Sequence, residues 1–400
     1  MFVRARTATA VTITVAAIGL TGFLAGSASA ASVASDAPAA LVVVPKVQLD
    51  SVGAFLGAST DTTVQLTNTN SLNARAVHCF YVDATRHCAV SGAPCTRTAQ
   101  CTAIGGVGDF CDDPTWAAEN FTLVLSPNQT VGWNVSAGLQ VPGPGSGAIP
   151  PVVDDPFIGE LKCLEMTDSS AAALPLNAND LIGTVTTITT NPGGTVIDAR
   201  AYSAIGIQAS LSDQSAQNDL ILCLGGTPGS SECPVPPVGQ VSEYAACPRS
   251  LWMNHFFDGT PNLGGATRSN RLTLVPCSEN FEEPDLQLAT TVQFLVYNEF
   301  EQRFSARTTV DCYADLELVF IDSRVTGQNS VFSIGVQGTI GGQTLIKPVL
   351  GSETNAGHGL LGVAEQALLL AGAPGPSTAA FNLNHSGANP QGDVVRFIIP

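Results

Sequence analysis

The strongest constraint on the fold is a sustained two-residue alternation from Phe304 to Phe320. Every even position in this stretch is apolar or small, whereas the odd positions are mostly polar. Such a period places one set of side chains on one face of a β-strand, and a helix would spread the same residues around its circumference. The stretch from Val292 to Val296 has the same rhythm, and a polar interruption at 298–303 separates the two. The pattern predicts a long antiparallel hairpin that forms the floor of a β-sandwich.

The composition of the 400-residue chain favours strands throughout. Charged residues make up only 12% of the chain, which also contains 39 Gly and 25 Pro. Many short strands joined by turns fit this composition better than helices do. A chain of this length exceeds the usual size of one core. We therefore expect an all-β protein with two antiparallel β-sandwich domains, immunoglobulin-like or jelly-roll-like, and a small Cys-rich insertion.

Composition shifts suggest where the domains begin and end. We expect a signal peptide at 1–30, a tether at 31–40 and a first β-sandwich domain at 41–224, with the Cys-rich insertion at 88–116. A Pro, Gly and Ser-rich linker is expected at 225–246, because such a stretch favours neither helix nor ladder. The second β-sandwich domain is expected at 247–400.

The first 30 residues have the layout of a cleavable secretory signal. They carry Arg4 and Arg6 without any acidic residue, then an apolar run, and end in the small residues Ala28, Ser29 and Ala30. A membrane anchor is the alternative, but Gly and Thr interrupt the run. No later stretch is apolar for the length of a membrane span. The sequence therefore predicts an exported protein, secreted, periplasmic or on the cell surface.

The charge balance argues against nucleic acid as a partner. The formal net charge is −17, from 16 Lys+Arg and 33 Asp+Glu, and removal of two Arg with the signal gives 14 − 33 = −19. The only lysines are Lys46, Lys162 and Lys347. A phosphate-binding surface needs a basic patch, so nucleic acid and anionic membranes are disfavoured.

Eleven cysteines in an exported chain predict disulfides. The four in the insertion are expected to pair among themselves, in any of three connectivities, since that segment has too few apolar residues for a core of its own. Strand placement suggests two further pairs, and Cys223, Cys233 and Cys247 crowd around the linker. The odd count leaves either a buried reduced thiol or an intermolecular bond. The ten cysteines assigned to disulfides are Cys79 with Cys163; Cys88, Cys95, Cys101 and Cys111; Cys223 and Cys233; and Cys277 with Cys312.

Three strand-like segments between Thr62 and Trp133 are TTVQLTN, RAVHCFYVD and FTLVLSPNQTVGW. Their order resembles that of bacterial immunoglobulin-like modules, in which an F-x-L-x-P strand ending leads into the next turn. The Cys-rich insertion interrupts the resemblance. It implies a sandwich that serves as a spacer or binding scaffold, and it implies no catalytic residues.

The sequence contains no local motif for catalysis. A G-x-S-x-G elbow, H-E-x-x-H, a P-loop and a strand-linked G-x-G-x-x-G are all absent. Three loop carboxylates in the insertion, Asp109, Asp112 and Asp113, are oxygen donors of the kind that calcium prefers, although their spacing differs from the usual calcium loop. Apart from possible calcium, no cofactor is predicted.

These observations favour a disulfide-stabilised extracellular or cell-surface protein that acts as a structural or binding protein without catalysis. Its partner, a protein or a glycan, is not specified by the sequence. One alternative is a carbohydrate- or calcium-binding module. Another is a secreted hydrolase with a scattered carboxylate pair, most plausibly where the two domains meet.

Overall fold

The structure is a computed structural model, and it describes most of the chain after the predicted signal. The described residues are 32–55, 57–112, 114, 116–143, 146–210, 219–227, 229–235, 242–259, 266–281, 289–322, 329–349, 358–370 and 375–396. The predicted signal peptide at 1–30 lies outside them.

The first part of the chain consists of short strands and one helix. Helix α1 spans Thr98–Gly105. The strands are β1 (Val33–Ala34), β2 (Leu41–Leu49), β3 (Ser59–Asn68), β4 (Arg75–Asp83), β5 (Arg86–His87), β6 (Pro94–Cys95), β7 (Ala117–Leu125), β8 (Thr130–Asn134), β9 (Leu139–Gln140), β10 (Ala148–Ile149), β11 (Phe157–Met166), β12 (Leu181–Thr190), β13 (Val196–Ser203), β14 (Ile205–Ile207) and β15 (Ile221–Leu224).

The second part has the same character. A 3-10 helix spans Leu318–Phe320 and helix α2 spans Ile334–Gln337. The strands are β16 (Pro248–Phe256), β17 (Thr267–Pro276), β18 (Glu279–Asn280), β19 (Ala289–Asn298), β20 (Arg303–Asp311), β21 (Ala314–Glu317), β22 (Gly341–Pro348), β23 (Leu360–Leu369), β24 (Ser377–Asn382), β25 (Asn384–Ala388) and β26 (Asp393–Arg396).

Among the described residues, five sheets have three or more strands. The six-stranded sheet has the order β1-β14-β2-β11-β4-β7, and the five-stranded sheet has the order β20-β19-β22-β16-β25. The first four-stranded sheet is β13-β12-β3-β8, the second is β21-β17-β23-β24, and the three-stranded sheet is β15-β26-β18. Two-stranded ribbons, β10-β9 and β5-β6, complete the strand pairing.

The all-β prediction is confirmed, since strands account for 56% of the structure and helices for 5%. The prediction of two β-sandwich domains is wrong. The small sheets are organised as a five-bladed β-propeller, and 31–400 form one compact unit. Alternation along a strand specifies its inward face, but any strand can satisfy the hydrogen bonds of any neighbour. The way the sheets assemble is therefore not encoded in the pattern from which the sandwiches were predicted.

The predicted hairpin is present. Strands β19 and β20 pair antiparallel from Ala289 opposite Asp311 to Tyr297 opposite Arg303. At the turn, the Asn298 side-chain oxygen accepts hydrogen bonds from two backbone amides of the loop, each at 3.0 Å. Glu301 has a φ of 61°, the left-handed conformation that closes the turn. Val292, Phe294 and Val296 are fully buried, so the hairpin directs its apolar face into a core.

The alternation continues beyond β20, but the strand does not. Cys312 has a φ of 58°, and β21 after it pairs with β17 in the second four-stranded sheet instead of continuing in the five-stranded sheet. Even positions stay on the inward side across this break: Val310, Cys312, Ala314 and Leu318 are all buried. One apolar stripe therefore supplies two different sheets.

Segments predicted as a tether and a linker also take part in the fold. Val33 and Ala34 form β1 against β14, and Ala39 and Ala40 are fully buried. Part of the linker segment is described, and in it Cys233 is fully buried and bonded to Cys223. In the part of the chain that the structure describes, no helix has the length and apolar character needed to cross a membrane.

Candidate functional site

A cavity of about 370 Å³ lies where the first four-stranded sheet meets the second. We call it the inter-sheet cavity. Strands β13 and β24 hold the two sheets together there: the Thr378 amide donates to Asp198 Oδ1 at 3.1 Å, and the Asn382 side chain donates to the Ser203 carbonyl at 2.7 Å. The walls are largely apolar and include Ile197, Ala367, Leu369 and Pro376. The cavity thus joins residues from early and late parts of the chain.

Charged side chains cover one side of the inter-sheet cavity. Arg271 on β17 is directly opposite Glu317 on β21 and Glu365 on β23 in the strand registers, so all three side chains project from one face of the sheet. Asp198 and Arg200 project toward them from β13. These five side chains all line the cavity.

Lys46 lies behind this surface because β2 bulges. Pro45 cannot donate a ladder hydrogen bond, and the pairing of β2 with β11 shifts register at this point. The Lys46 amide donates instead to the Tyr202 hydroxyl at 3.1 Å, and that hydroxyl donates to the Lys46 carbonyl at 2.6 Å. The bulge thereby fixes a lysine side chain in an apolar interior.

The buried charges form one connected network, which we call the charge cluster: Lys46, Asp198, Arg200, Arg271, Asp315 and Glu365. Lys46 Nζ lies 2.6 Å from Glu365 Oε2 and 3.3 Å from Asp315 Oδ1. The Arg200 guanidinium binds Glu365 at 2.5 Å and Asp198 at 3.0 Å. Arg271 Nε lies 2.8 Å from Asp315 Oδ1. Three cations face three carboxylates, so the formal charges of the cluster cancel.

The neighbouring cations favour the ionised forms of Glu365 and Asp315. Burial alone would raise the pKa of Glu365, but Lys46 and Arg200 outweigh it and leave that pKa below its usual value. Burial likewise opposes ionisation of Asp315, and Arg271 and Lys46 hold its pKa well below the usual range. A glycosidase acid needs a raised pKa instead. The geometry therefore suits binding better than acid catalysis.

A second cavity of about 260 Å³ adjoins the inter-sheet cavity and shares Ser269, Asn270, Ala367 and Thr378 with it. It is lined by Phe256, Arg268, Asn270 and Gln366, and the Arg268 guanidinium lies 5.1 Å from the centre of the Phe256 ring. Arg268 and Arg271 are three residues apart on one strand and so project from opposite faces. Substitutions at Arg268 can therefore serve as controls for the inter-sheet cavity.

Among the described residues, the predicted calcium ligands Asp109 and Asp112 do not line either cavity. Asp109 is buried and organises its own loop: Oδ1 accepts the Val90 amide at 2.9 Å, and Oδ2 accepts the Ser91 hydroxyl at 2.8 Å. Among the described residues, neither Asp109 nor Asp112 belongs to a cluster of three potential metal ligands. Asp113 lies outside the described residues. Calcium binding by this loop stays a prediction.

The structure contains five disulfides. The predicted bond between Cys79 and Cys163 joins β4 to β11. The insertion cysteines pair among themselves, as expected, in the crossed arrangement Cys88–Cys101 and Cys95–Cys111. Near the linker, Cys223 bonds Cys233.

The predicted pair of Cys277 with Cys312 is wrong. Cys277 bonds Cys247, and Cys312 is a buried thiol outside the five disulfides. The prediction assumed that the strand carrying Cys312 continues past it. The chain instead turns at Cys312 and passes to another sheet. This outcome matches the alternative of one reduced, buried thiol.

A serine, a histidine and an aspartate lie close together near the Cys247–Cys277 bond, although no sequence motif predicts this grouping. Ser278 Oγ donates to Asp393 Oδ1 at 2.8 Å and lies 2.9 Å from His358 Nδ1. In a hydrolytic triad the imidazole lies between serine and carboxylate and takes the serine proton. Here His358 Nδ1 lies close to both the serine and, at 3.6 Å, Asp393 Oδ1, so the two ring nitrogens do not link them; the serine itself bonds the carboxylate and is 4% exposed. The arrangement therefore fixes the ends of β17 and β26 and is not set up for nucleophilic attack.

Sequence reasoning missed the charge cluster. Its members come from strands far apart in the chain, and Lys46 and Glu365 are separated by 319 positions. A signal was available at two points: a lysine inside the apolar strand LVVVPKVQL and a glutamate inside GLLGVAEQALLL. Charges at inward strand positions require buried partners, and that requirement could have singled these residues out.

No family model matches the sequence, and no curated protein matches it.

Proposed function

We propose that this chain is an exported, disulfide-stabilised binding protein without catalytic activity, and that its small ligand occupies the inter-sheet cavity. The observation that carries this proposal is the combination of a cavity of about 370 Å³, apolar walls and one charged surface. Ligand sites are typically apolar concavities with a few convergent polar groups, and this volume lies at the small end of their usual range.

Export is supported by the cysteine chemistry. Five disulfides stabilise the chain, and such bonds form and persist in oxidising compartments. The signal-like N terminus and the formal net charge of −17 agree with this location. A strongly acidic exported protein stays soluble and avoids anionic surfaces.

The absence of catalysis is supported by how the polar groups of the cavity are used. The carboxylates of the charge cluster accept hydrogen bonds from cations, and these cations hold the pKa values of Asp315 and Glu365 below their usual range. Burial raises the pKa of Asp258 to about 7, but this group is committed to a hydrogen bond from Asn270 and does not line the inter-sheet cavity. Positioned, ionised groups of this kind orient a ligand.

The test is a thermal melt of the exported chain with a panel of small molecules at millimolar concentration: short amides, acids and amines, monosaccharides and calcium. A ligand of the folded state raises the melting temperature by mass action. Ile197→Trp fills the cavity from β13. Val196→Trp adds the same bulk at the neighbouring position, which is 56% exposed and does not line the cavity.

We expect at least one compound to raise the melting temperature of the native chain and of Val196→Trp by several degrees, and to leave Ile197→Trp unchanged. A panel without any effect would contradict the proposal. So would a shift that persists in Ile197→Trp, and a shift with calcium alone would direct attention to the Asp109 loop.

A further inference from the structure

We infer that the inter-sheet cavity takes an uncharged small molecule with an oxygen acceptor at one end and an apolar body at the other. This inference rests on the proposed function and specifies its ligand class. Arg271 and Arg200 would bind the oxygen, and Ile197 and Leu369 would contact the body.

The first observation is a set of unused hydrogen-bond donors. Arg271 contacts Asp315 through Nε alone, and no hydrogen bond among the described residues involves its two terminal nitrogens. Arg200 donates through Nε and Nη1, and among the described residues its Nη2 likewise takes part in no hydrogen bond. None of these three nitrogens is completely shielded from solvent, and 18% of the Arg271 side chain is exposed. A guanidinium has five N–H donors in a fixed fork, so the cavity presents donors that require an acceptor.

The acceptors of the cluster are already occupied. Glu365 accepts from Lys46 through one oxygen and from Arg200 through the other. Asp198 accepts the Arg200 guanidinium and the Thr378 amide through separate oxygens. A ligand that replaces water at this surface must therefore supply oxygen acceptors to keep the guanidinium donors satisfied.

The second observation is charge balance. The charge cluster holds three cations and three carboxylates, and all but Arg271 have side chains less than a tenth exposed. Glu317 also lines the cavity, so two arginines face three carboxylates there, and an anionic ligand would lack a counterion. A buried unpaired charge is strongly unfavourable. An ammonium ligand has no acceptor to offer the guanidinium groups. An amide, ketone or alcohol meets both conditions.

The third observation is the lining opposite the charges. Ile197, Ala367, Leu369 and Pro376 offer an apolar surface, and none of the described lining residues has an aromatic ring for stacking on a sugar. The volume of about 370 Å³ corresponds to about twelve water molecules in the liquid. A compact aliphatic body of six or so carbons fits this space.

The experiment compares three ligands with the same body by isothermal titration of the full exported chain: hexanamide, hexanoate and hexylammonium at neutral pH. We expect hexanamide to bind with one-to-one stoichiometry and at least tenfold more tightly than either ion. Arg271→Lys keeps the positive charge beside Asp315 but removes the guanidinium fork, and should weaken hexanamide about tenfold. Arg268→Lys, on the opposite face of the strand, should leave the affinity unchanged.

The comparison of the three ligands on the unmodified chain does not depend on any variant. Tighter binding of hexanoate or hexylammonium than of hexanamide would overturn the inferred ligand class. The proposed function would still stand if Ile197→Trp abolished the binding of that ion. Equal hexanamide affinity in Arg271→Lys and the native chain would also overturn the class. No binding of the three ligands, with a thermal panel also without effect, would overturn both proposals.

Discussion

Glu165 is the clearest place where a buried ionisable group should govern the stability of this protein. It lies inside β11 with no exposed surface, and its Oε1 accepts the Asp180 amide at 2.7 Å. Among the described residues, neither Glu165 Oε2 nor the nearby Tyr244 hydroxyl has a hydrogen-bond partner. The pKa of Glu165 is raised to about 8, chiefly by burial; the Asp180 carboxylate adds to the rise, and the Asp180 amide and Arg75 oppose it.

The sign of the pH dependence follows from this pKa. The folded state holds the proton up to about pH 8, whereas the unfolded chain releases it near 4.5. The folded protein therefore binds more protons between these values, and the free energy of unfolding falls as pH rises through them. The slope approaches about 1.4 kcal/mol per pH unit between the two pKa values and flattens near each of them, so this one group lowers the free energy of unfolding by about 3.5 kcal/mol from pH 5 to pH 8.

Glu165→Gln removes the titration and keeps an oxygen acceptor for the Asp180 amide. We expect equal stability of the variant and the native chain at pH 5, and a variant more stable by about 3 to 4 kcal/mol at pH 8. Guanidinium unfolding at both pH values measures the difference in the free energy of unfolding between the variant and the native chain. The contributions of other titrating groups cancel in this difference because both proteins contain them. Glu301→Gln, exposed at the hairpin tip, is the control. Parallel pH profiles for native chain and Glu165→Gln would refute the reasoning.

Two further predictions concern what holds the fold together, and both use the same unfolding assay. Replacing both cysteines of the Cys79–Cys163 bond by Ala should lower the free energy of unfolding by about 4.5 kcal/mol, and the same change at Cys223–Cys233 should lower it by about 2.7 kcal/mol. The first bond closes a loop of 84 residues and the second a loop of 10, and the longer loop loses more entropy in the unfolded chain. Equal losses would contradict this. Lys46→Met leaves two buried carboxylates each short of a partner and should destabilise by about 3 to 5 kcal/mol. Lys347 is exposed, so Lys347→Met should change the free energy of unfolding by no more than about 0.5 kcal/mol. An equally small change for Lys46→Met would show that the charge cluster is not coupled to folding.

Strand positions were accessible from the sequence because side-chain alternation is local. The segment Arg75–Asp83 was predicted as a strand and is β4, and the hairpin around Asn298 is in place. Sheet membership was not accessible, because backbone hydrogen bonds are the same for every pair of strands. The turn at Cys312 illustrates the limit: the alternation passes through it unchanged while the chain enters another sheet.

Glycine shows a similar ambiguity. Gly341 and Gly342 resemble a two-residue hairpin turn in the sequence, yet they begin β22 and pair with β16. A Cβ on Gly342 would lie 2.3 Å from the Phe257 ring, so the residue is required for close packing. The charge cluster was out of reach for a different reason. The cluster depends on the ion pair between Lys46 and Glu365, and only the folded chain brings their charged atoms within 2.6 Å of each other.

The most direct test of the account is an NMR titration of the exported chain with hexanamide that follows the arginine Nε–H signals. These signals report each guanidinium separately. We expect the signals of Arg200 and Arg271 to shift with a single saturating curve, and the signal of Arg268, on the opposite face of the strand, to stay in place. Saturating shifts confined to Arg268, or no shift at Arg200 and Arg271, would contradict the claim that the inter-sheet cavity is the ligand site.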